Sequence, residues 1–166
     1  MLPLFVSLSF AHDLTSSAIP EHNILIGYQH RSLVPTENYQ SSHCSILQYG
    51  VAFPLNRQKT IGSFVEPSLA IVGLNQSIAR PIVSMTVGFQ FGQYVRFGTG
   101  PIVALRPAID PPFFPQLLIE STFLVSIDGV DLPIKLSYVP RSQGLEQYQI
   151  LVGYTFVFRQ HESSEM

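Results

Sequence analysis

The sequence predicts an all-β protein, an eight-stranded antiparallel up-and-down transmembrane β-barrel, and three observations predict it. Apolar residues alternate with polar or small ones through eight successive segments, the period of a strand with one greasy face. Thirteen prolines and eleven glycines punctuate the 166 residues, which argues against long helices. No uninterrupted apolar stretch reaches the roughly 20 residues of a membrane helix. The third observation is where glycine sits: Gly27, Gly50, Gly88, Gly98, Gly100 and Gly153 all fall on the polar parity. The interior of an eight-stranded barrel is just wide enough for side chains, so the small-and-polar face belongs inside. The bulky apolar face is then outside, where it needs lipid. A soluble lipocalin-like barrel, the other candidate architecture, would reverse the two faces.

The elements follow in order. The first strand, Asn23–Val34, sets Ile24, Ile26 and Tyr28 against Gly27, Gln29 and Arg31. The second, Ser45–Leu55, opposes Leu47, Tyr49, Val51 and Phe53 to Gln48, Gly50 and Ala52. The third, Ile61–Leu74, puts Glu66 on the inward parity. The fourth, Pro81–Phe91, alternates most cleanly, with Val83, Met85, Val87, Phe89 and Phe91 outward. The fifth, Tyr94–Pro107, and the sixth, Gln116–Ile127, carry Arg96, Arg106 and Glu120 inward. The seventh, Asp131–Val139, sets Leu132, Ile134, Leu136 and Tyr138 against Lys135 and Ser137. The eighth, Gln147–Phe158, places Tyr148, Ile150, Val152, Tyr154, Phe156 and Phe158 on one face. Connections one, three, five and seven read as long loops, and two, four and six as tight turns. That asymmetry is expected of a membrane barrel whose short turns are periplasmic. An even number of strands lets the sheet close without an edge.

Only 12% of the chain is charged and 46% is hydrophobic, against about 25% charged in an ordinary soluble domain. The net charge is −2 with no basic run, so nucleic acid is not an expected partner. One cysteine, Cys44, excludes an internal disulfide framework. His12, His22 and His30 match no tight metal template, and neither a metal nor a cofactor is expected. Residues 1–11 read as a signal-peptide remnant, because the apolar run Leu2–Ala11 ends in Ser9-Phe10-Ala11. Residues 12–158 then form a single barrel domain, with 159–166 as a polar tail.

The inward charges Arg31, Glu66, Arg96, Arg106, Glu120 and Lys135 are expected to form a paired network, because buried charge is tolerated only when paired or hydrogen-bonded. Aromatics near the strand ends fit interfacial girdles, with Phe53, Phe91, Phe97, Phe156 and Phe158 on the turn side and Tyr138 and Tyr148 on the loop side. The segment Asp110-Pro111-Pro112-Phe113-Phe114-Pro115 reads as a proline-stiffened loop presenting two phenylalanines.

Residues Gln147–Phe158 resemble the closing strand of small bacterial outer-membrane β-barrels, with Tyr154, Phe156 and Phe158 matching its aromatic ending, although eight residues follow. The resemblance implies the bacterial outer membrane with both termini periplasmic. It also implies a monomer among outer-membrane lipid and lipopolysaccharide, inserted by the barrel-assembly machinery. The last third is also similar in layout to the lipid A 3-O-deacylase family of outer-membrane esterases, through Gly144-Leu145-Glu146. That family's seventh-strand His-x-Ser is missing, since the strand reads Leu136-Ser137-Tyr138-Val139-Pro140. Without histidine no general base activates a serine there.

A His-x-Ser does occur at His43-Cys44-Ser45, at the loop end of the second strand. It suggests a relocated esterase dyad of His43 and Ser45, oriented by Glu37 or Glu146. Strands eight and two flank strand one, roughly 10 Å apart at about 4.8 Å per strand step, a little too far for a direct triad. The expected function is therefore a non-catalytic outer-membrane barrel in an envelope-structural or surface-interaction role. The alternative is a lipid A deacylase-like esterase.

Overall fold

A computed structural model describes residues 19–31, 43–56, 60–76, 79–92, 94–105, 113–127, 130–142 and 145–157. Eight strands run in chain order: β1 Glu21–Arg31, β2 His43–Asn56, β3 Ile61–Val72 and β4 Arg80–Phe91. They continue as β5 Val95–Leu105, β6 Phe113–Ile127, β7 Val130–Ser142 and β8 Leu145–Val157. Each pairs antiparallel with its neighbour, and β8 pairs back onto β1 from Glu21↔Val157 to Arg31↔Gln147, so the barrel is closed. Closure leaves no unpaired edge to template association with another chain.

The two faces separate as the alternation requires. Thirty large apolar or aromatic side chains are exposed among the described residues, Ile26 at 65% and Val87 at 51%. Inside lie Gln29, Glu66, Thr86, Arg96, Glu120 and Lys135, each at most 5% exposed. The interior is nevertheless more apolar than the parity of glycine and charge implies. Leu25, Ile46, Val72, Ile82, Leu118 and Val139 pack into one buried cluster, with Cys44 among them. A narrow tube has little volume for water, and apolar side chains fill the gaps between polar groups at interior density.

Glycine closes the barrel at two opposite seams. A Cβ at Gly27 or Gly153 would stand 1.9 Å from the carbonyl oxygen of Ile150 or Ile24, across the β1–β8 seam. At the β4–β5 seam, four strands away on either side, a Cβ at Gly88 or Gly100 would meet the Phe97 or Met85 oxygen at the same distance. Only residues without a side chain let the strands coil this tightly.

Proline explains where the ladders open. Pairing skips two residues per strand beside Pro67 in β2–β3 and beside Pro101 in β4–β5, and it skips again beside Pro133 in β7–β8. A proline has no N–H to donate. Each of these keeps its partner on the other side, at Met85, Leu117 and Leu124.

Two expected connections prove shorter. Phe113, Phe114 and Pro115 belong to β6, opposite Leu105, Ala104 and Val103, and not to a loop. The seventh connection narrows to residues 143–144, because β7 runs to Ser142 and pairs it with Leu145 after an irregularity beyond Val139. In both places a strand partner overrides the local turn signal. The signal-like segment, His12, Glu37, Arg106, Phe158 and the polar tail lie outside the described residues.

Candidate functional site

Two regions collect the polar chemistry: the barrel interior and the loop-end rim. The interior is layered. Near the loop end, the buried Gln29 amide lies 2.7 Å from that of Gln147. With its amide oxygen turned toward Arg31, Gln29 accepts from Arg31 Nη2 at 3.0 Å. At mid-height, Lys135 Nζ donates to Glu66 Oε1 at 2.6 Å and to Glu120 Oε1 at 3.4 Å. Thr86 Oγ1 donates to the same Glu120 oxygen at 2.8 Å. The cluster draws on β3, β4, β6 and β7, so it ties strands across the lumen. Gly50 makes room for it, since a Cβ there would lie 2.7 Å from Glu66 Oε1.

Toward the turn end, Arg96 is paired with Glu21 and donates from Nε to Gln90 Oε1 at 3.0 Å. Its guanidinium carbon stands 5.8 Å from the Phe64 ring centroid, within cation–π range. Five of the six expected network residues are thus placed inside. Arg31 is with the glutamines, Arg96 is with Glu21, and only Lys135, Glu66 and Glu120 form one cluster. Glu21 is not among the six expected residues. It is two residues before Asn23 and shares its inward parity, which is the signal that identifies it.

At the rim, His43, Ser45 and Glu146 all lie on the outward side of their strands, with His43 exposed and Ser45 and Glu146 half-buried. Ser45 is held by the chain beyond β3. Gly73, at φ 89°, turns the backbone so that its N–H reaches the Ser45 carbonyl at 2.8 Å. Asn75 Oδ1 then accepts from Ser45 N at 2.9 Å and from its hydroxyl at 3.1 Å. The His43 ring sits 4.8 Å from the His30 ring, directly across the β1–β2 ladder. Glu146 Oε1 accepts from the Tyr138 and Tyr148 hydroxyls at 2.8 and 2.7 Å. The Ser45 hydroxyl therefore engages an amide rather than an imidazole, and the carboxylate serves two phenols. Asn75 escaped the sequence reading because its reach to Ser45 depends on the path of a loop.

Tyr138, Tyr148, His30 and His43 form a continuous lateral row on four neighbouring strands, with the two tyrosine rings stacked at 5.0 Å. A second aromatic group lies at the turn end, where His22 stacks on Phe156 at 5.4 Å and its Nδ1 is 2.6 Å from the Tyr49 hydroxyl. His22 and His30, like Phe156 and Tyr148, are eight residues apart. At about 3.3 Å per residue and a tilt near 40°, the two girdles are roughly 20 Å apart.

No family model matches the chain, and no curated protein matches it. Among solved structures, a de novo designed transmembrane β-barrel aligns with TM-score 0.48 and 11% identity, covering 84% of this chain and 96% of the design. The attachment invasion locus protein Ail of Yersinia pestis aligns with TM-score 0.44 and 15% identity, over 83% of this chain and 99% of Ail. Its backbone structure in a phospholipid nanodisc gives TM-score 0.45 at 15% identity, over 82% and 99%. Likenesses at this level carry no statement about activity.

Proposed function

We propose that the chain is a non-catalytic barrel of the bacterial outer membrane, with a polar, plugged interior and an envelope-structural or surface-interaction role. One observation carries the reading: a continuous apolar exterior surrounds charges that are paired inside. In water the thirty exposed apolar side chains have no counterpart in a soluble monomer. In lipid they are the solvated face, and the girdle separation of roughly 20 Å approaches the apolar band of about 25 Å that such barrels present. Both termini are then periplasmic, the tight β2–β3, β4–β5 and β6–β7 turns lie on that side, and the barrel acts as a monomer among lipid and lipopolysaccharide. The aromatic-ended β8 is the segment offered to the assembly machinery.

An esterase at the rim has less support, because Ser45 is hydrogen-bonded to Asn75 and Glu146 to two tyrosines. Three measurements test the proposal. The chain should float with phospholipid vesicles and migrate heat-modifiably on gels after folding in detergent. Incubated with lipopolysaccharide, it should leave the lipid A mass unchanged. Loss of an acyl chain that disappears in Ser45→Ala or His43→Ala would replace this reading with the catalytic one.

A further inference from the structure

The lipid-facing surface is not uniformly filled. A hollow of about 520 Å³ opens on the outside of the barrel across β6, β7, β8, β1 and the start of β2. Its cause is local. On β6 the outward positions read Leu117, Ile119, Ser121, Phe123 and Val125, and Ser121 is the one small residue among large ones. One wall is the row Tyr138–Tyr148–His30–His43, held upright by ring stacking and by Glu146 on both phenols. The other is the next outward row, Leu136, Ile150 and Tyr28. The floor is the backbone side of Ser137 and Gln149.

The direction of the trough follows from strand tilt. Rows of directly paired residues run perpendicular to the strands, and barrel strands tilt by 35–45°, so the trough is diagonal to the barrel axis. At one end it reaches His43, the first residue of β2. At the other it reaches Ile119, six residues inside β6. The rim end thus presents two imidazoles, and the deep end presents Ile119, Leu136 and the gap over Ser121.

We propose that this trough holds one acyl chain of a membrane phospholipid, with the lipid's phosphate against His30 and His43. The inference rests on the membrane reading above and goes beyond it by naming a bound lipid. Within the hydrocarbon there is no water to fill a hollow, and an unfilled one forfeits dispersion contacts along its whole lining. A chain entering from the interface meets the order of chemistry that the trough offers: hydrogen-bond donors at the rim, then aromatic walls, then aliphatic ones. Imidazole N–H groups are suited to phosphate oxygens, and the nearby Glu146 carboxylate is engaged by the Tyr138 and Tyr148 hydroxyls.

The test uses the full chain folded in a maltoside detergent, with dipalmitoyl phosphatidylglycerol as probe and dipalmitoylglycerol as its phosphate-free counterpart, read by native mass spectrometry. The unaltered protein should retain one phosphatidylglycerol. Ser121→Phe, which fills the deep end from a lipid-facing position, should weaken retention roughly ten-fold, equivalent to about 1.4 kcal/mol. Ser121→Leu should do so to a smaller degree, which guards against a folding defect in the larger variant. The His30→Ala, His43→Ala double variant should lose the preference for phosphatidylglycerol over the diacylglycerol while still binding a chain. Equal retention by the Ser121 variants would overturn the trough. Retention of lipid A, offered to the same samples in parallel, but not of phosphatidylglycerol would overturn the phospholipid as its occupant. Vesicle flotation, measured on the same samples, separates this failure from that of the membrane reading. A barrel that floats normally and retains no lipid refutes only the bound lipid.

Discussion

Lys135 has the strongest claim to be the residue on which the interior depends, because it is fully enclosed and faces two carboxylates. Its replacement by methionine keeps much of the volume but leaves Glu66 and Glu120 against each other without a cation. Removing one member of a buried ionic group typically costs about 3–5 kcal/mol, and Lys135→Met should lose that much in urea titrations followed by the gel shift of the folded form. Glu120→Gln should cost less, about 1–2 kcal/mol. Lys135 keeps Glu66 at 2.6 Å, and the longer 3.4 Å contact is the one altered. A loss at Glu120→Gln as large as that at Lys135→Met would show that Glu120, not Glu66, is the principal partner. These residues were legible from parity alone, because a charge on the glycine-bearing face of a narrow barrel has only other interior groups to meet. Their grouping was not legible. Which cation meets which carboxylate depends on the relative heights of strands far apart in sequence, and those heights are set by register.

At the scale of the strand, the seams make the sharpest claim. Gly153→Ala places a methyl group against the Ile24 carbonyl oxygen, a backbone atom that cannot yield without moving β1. Overpacking of this kind costs about 1–3 kcal/mol, and a fixed backbone obstacle puts Gly153→Ala at the upper end. Gly98→Ala should be much milder, since its nearest neighbour is the Phe64 ring at 3.3 Å, and a side chain gives way. Comparing the urea midpoints of the two variants checks the argument, and equal losses would refute it. Strand existence and facing were readable because period-2 alternation survives in nearly every segment. Strand ends were less readable for a physical reason. The prolines around Phe113 and the Ser-Gln-Gly near residue 143 are strong local turn signals. Pairing with β5 nevertheless starts β6 at Phe113, ahead of Pro115, and pairing of Ser142 with Leu145 carries β7 and β8 up to residues 143–144.

For the whole molecule, membrane residence and a closed lumen are separable claims and call for separate measurements. The first concerns the outer face. A fluorophore attached at Val87→Cys, with Cys44→Ser to remove the native thiol, should be quenched by bromine-labelled acyl chains and shielded from aqueous iodide, whereas a soluble barrel gives the opposite pattern. The second concerns the axis. Among the described residues, three charged or amide layers cross the lumen, at Gln29–Arg31–Gln147, Lys135–Glu66–Glu120 and Arg96–Glu21. Apolar side chains such as Ile46, Ile82 and Leu118 pack between them. A void beside Gln48, Ser84 and Glu120 holds about 10 Å³, close to the least volume that a single water occupies. An ion moving along a plugged axis would have to break each buried pair in turn and shed its hydration in an apolar layer. Reconstituted in planar bilayers, the native protein should therefore give no steady conductance. Steady, ohmic channels in the unmodified protein would refute the plugged interior while leaving the barrel and its apolar outer belt intact.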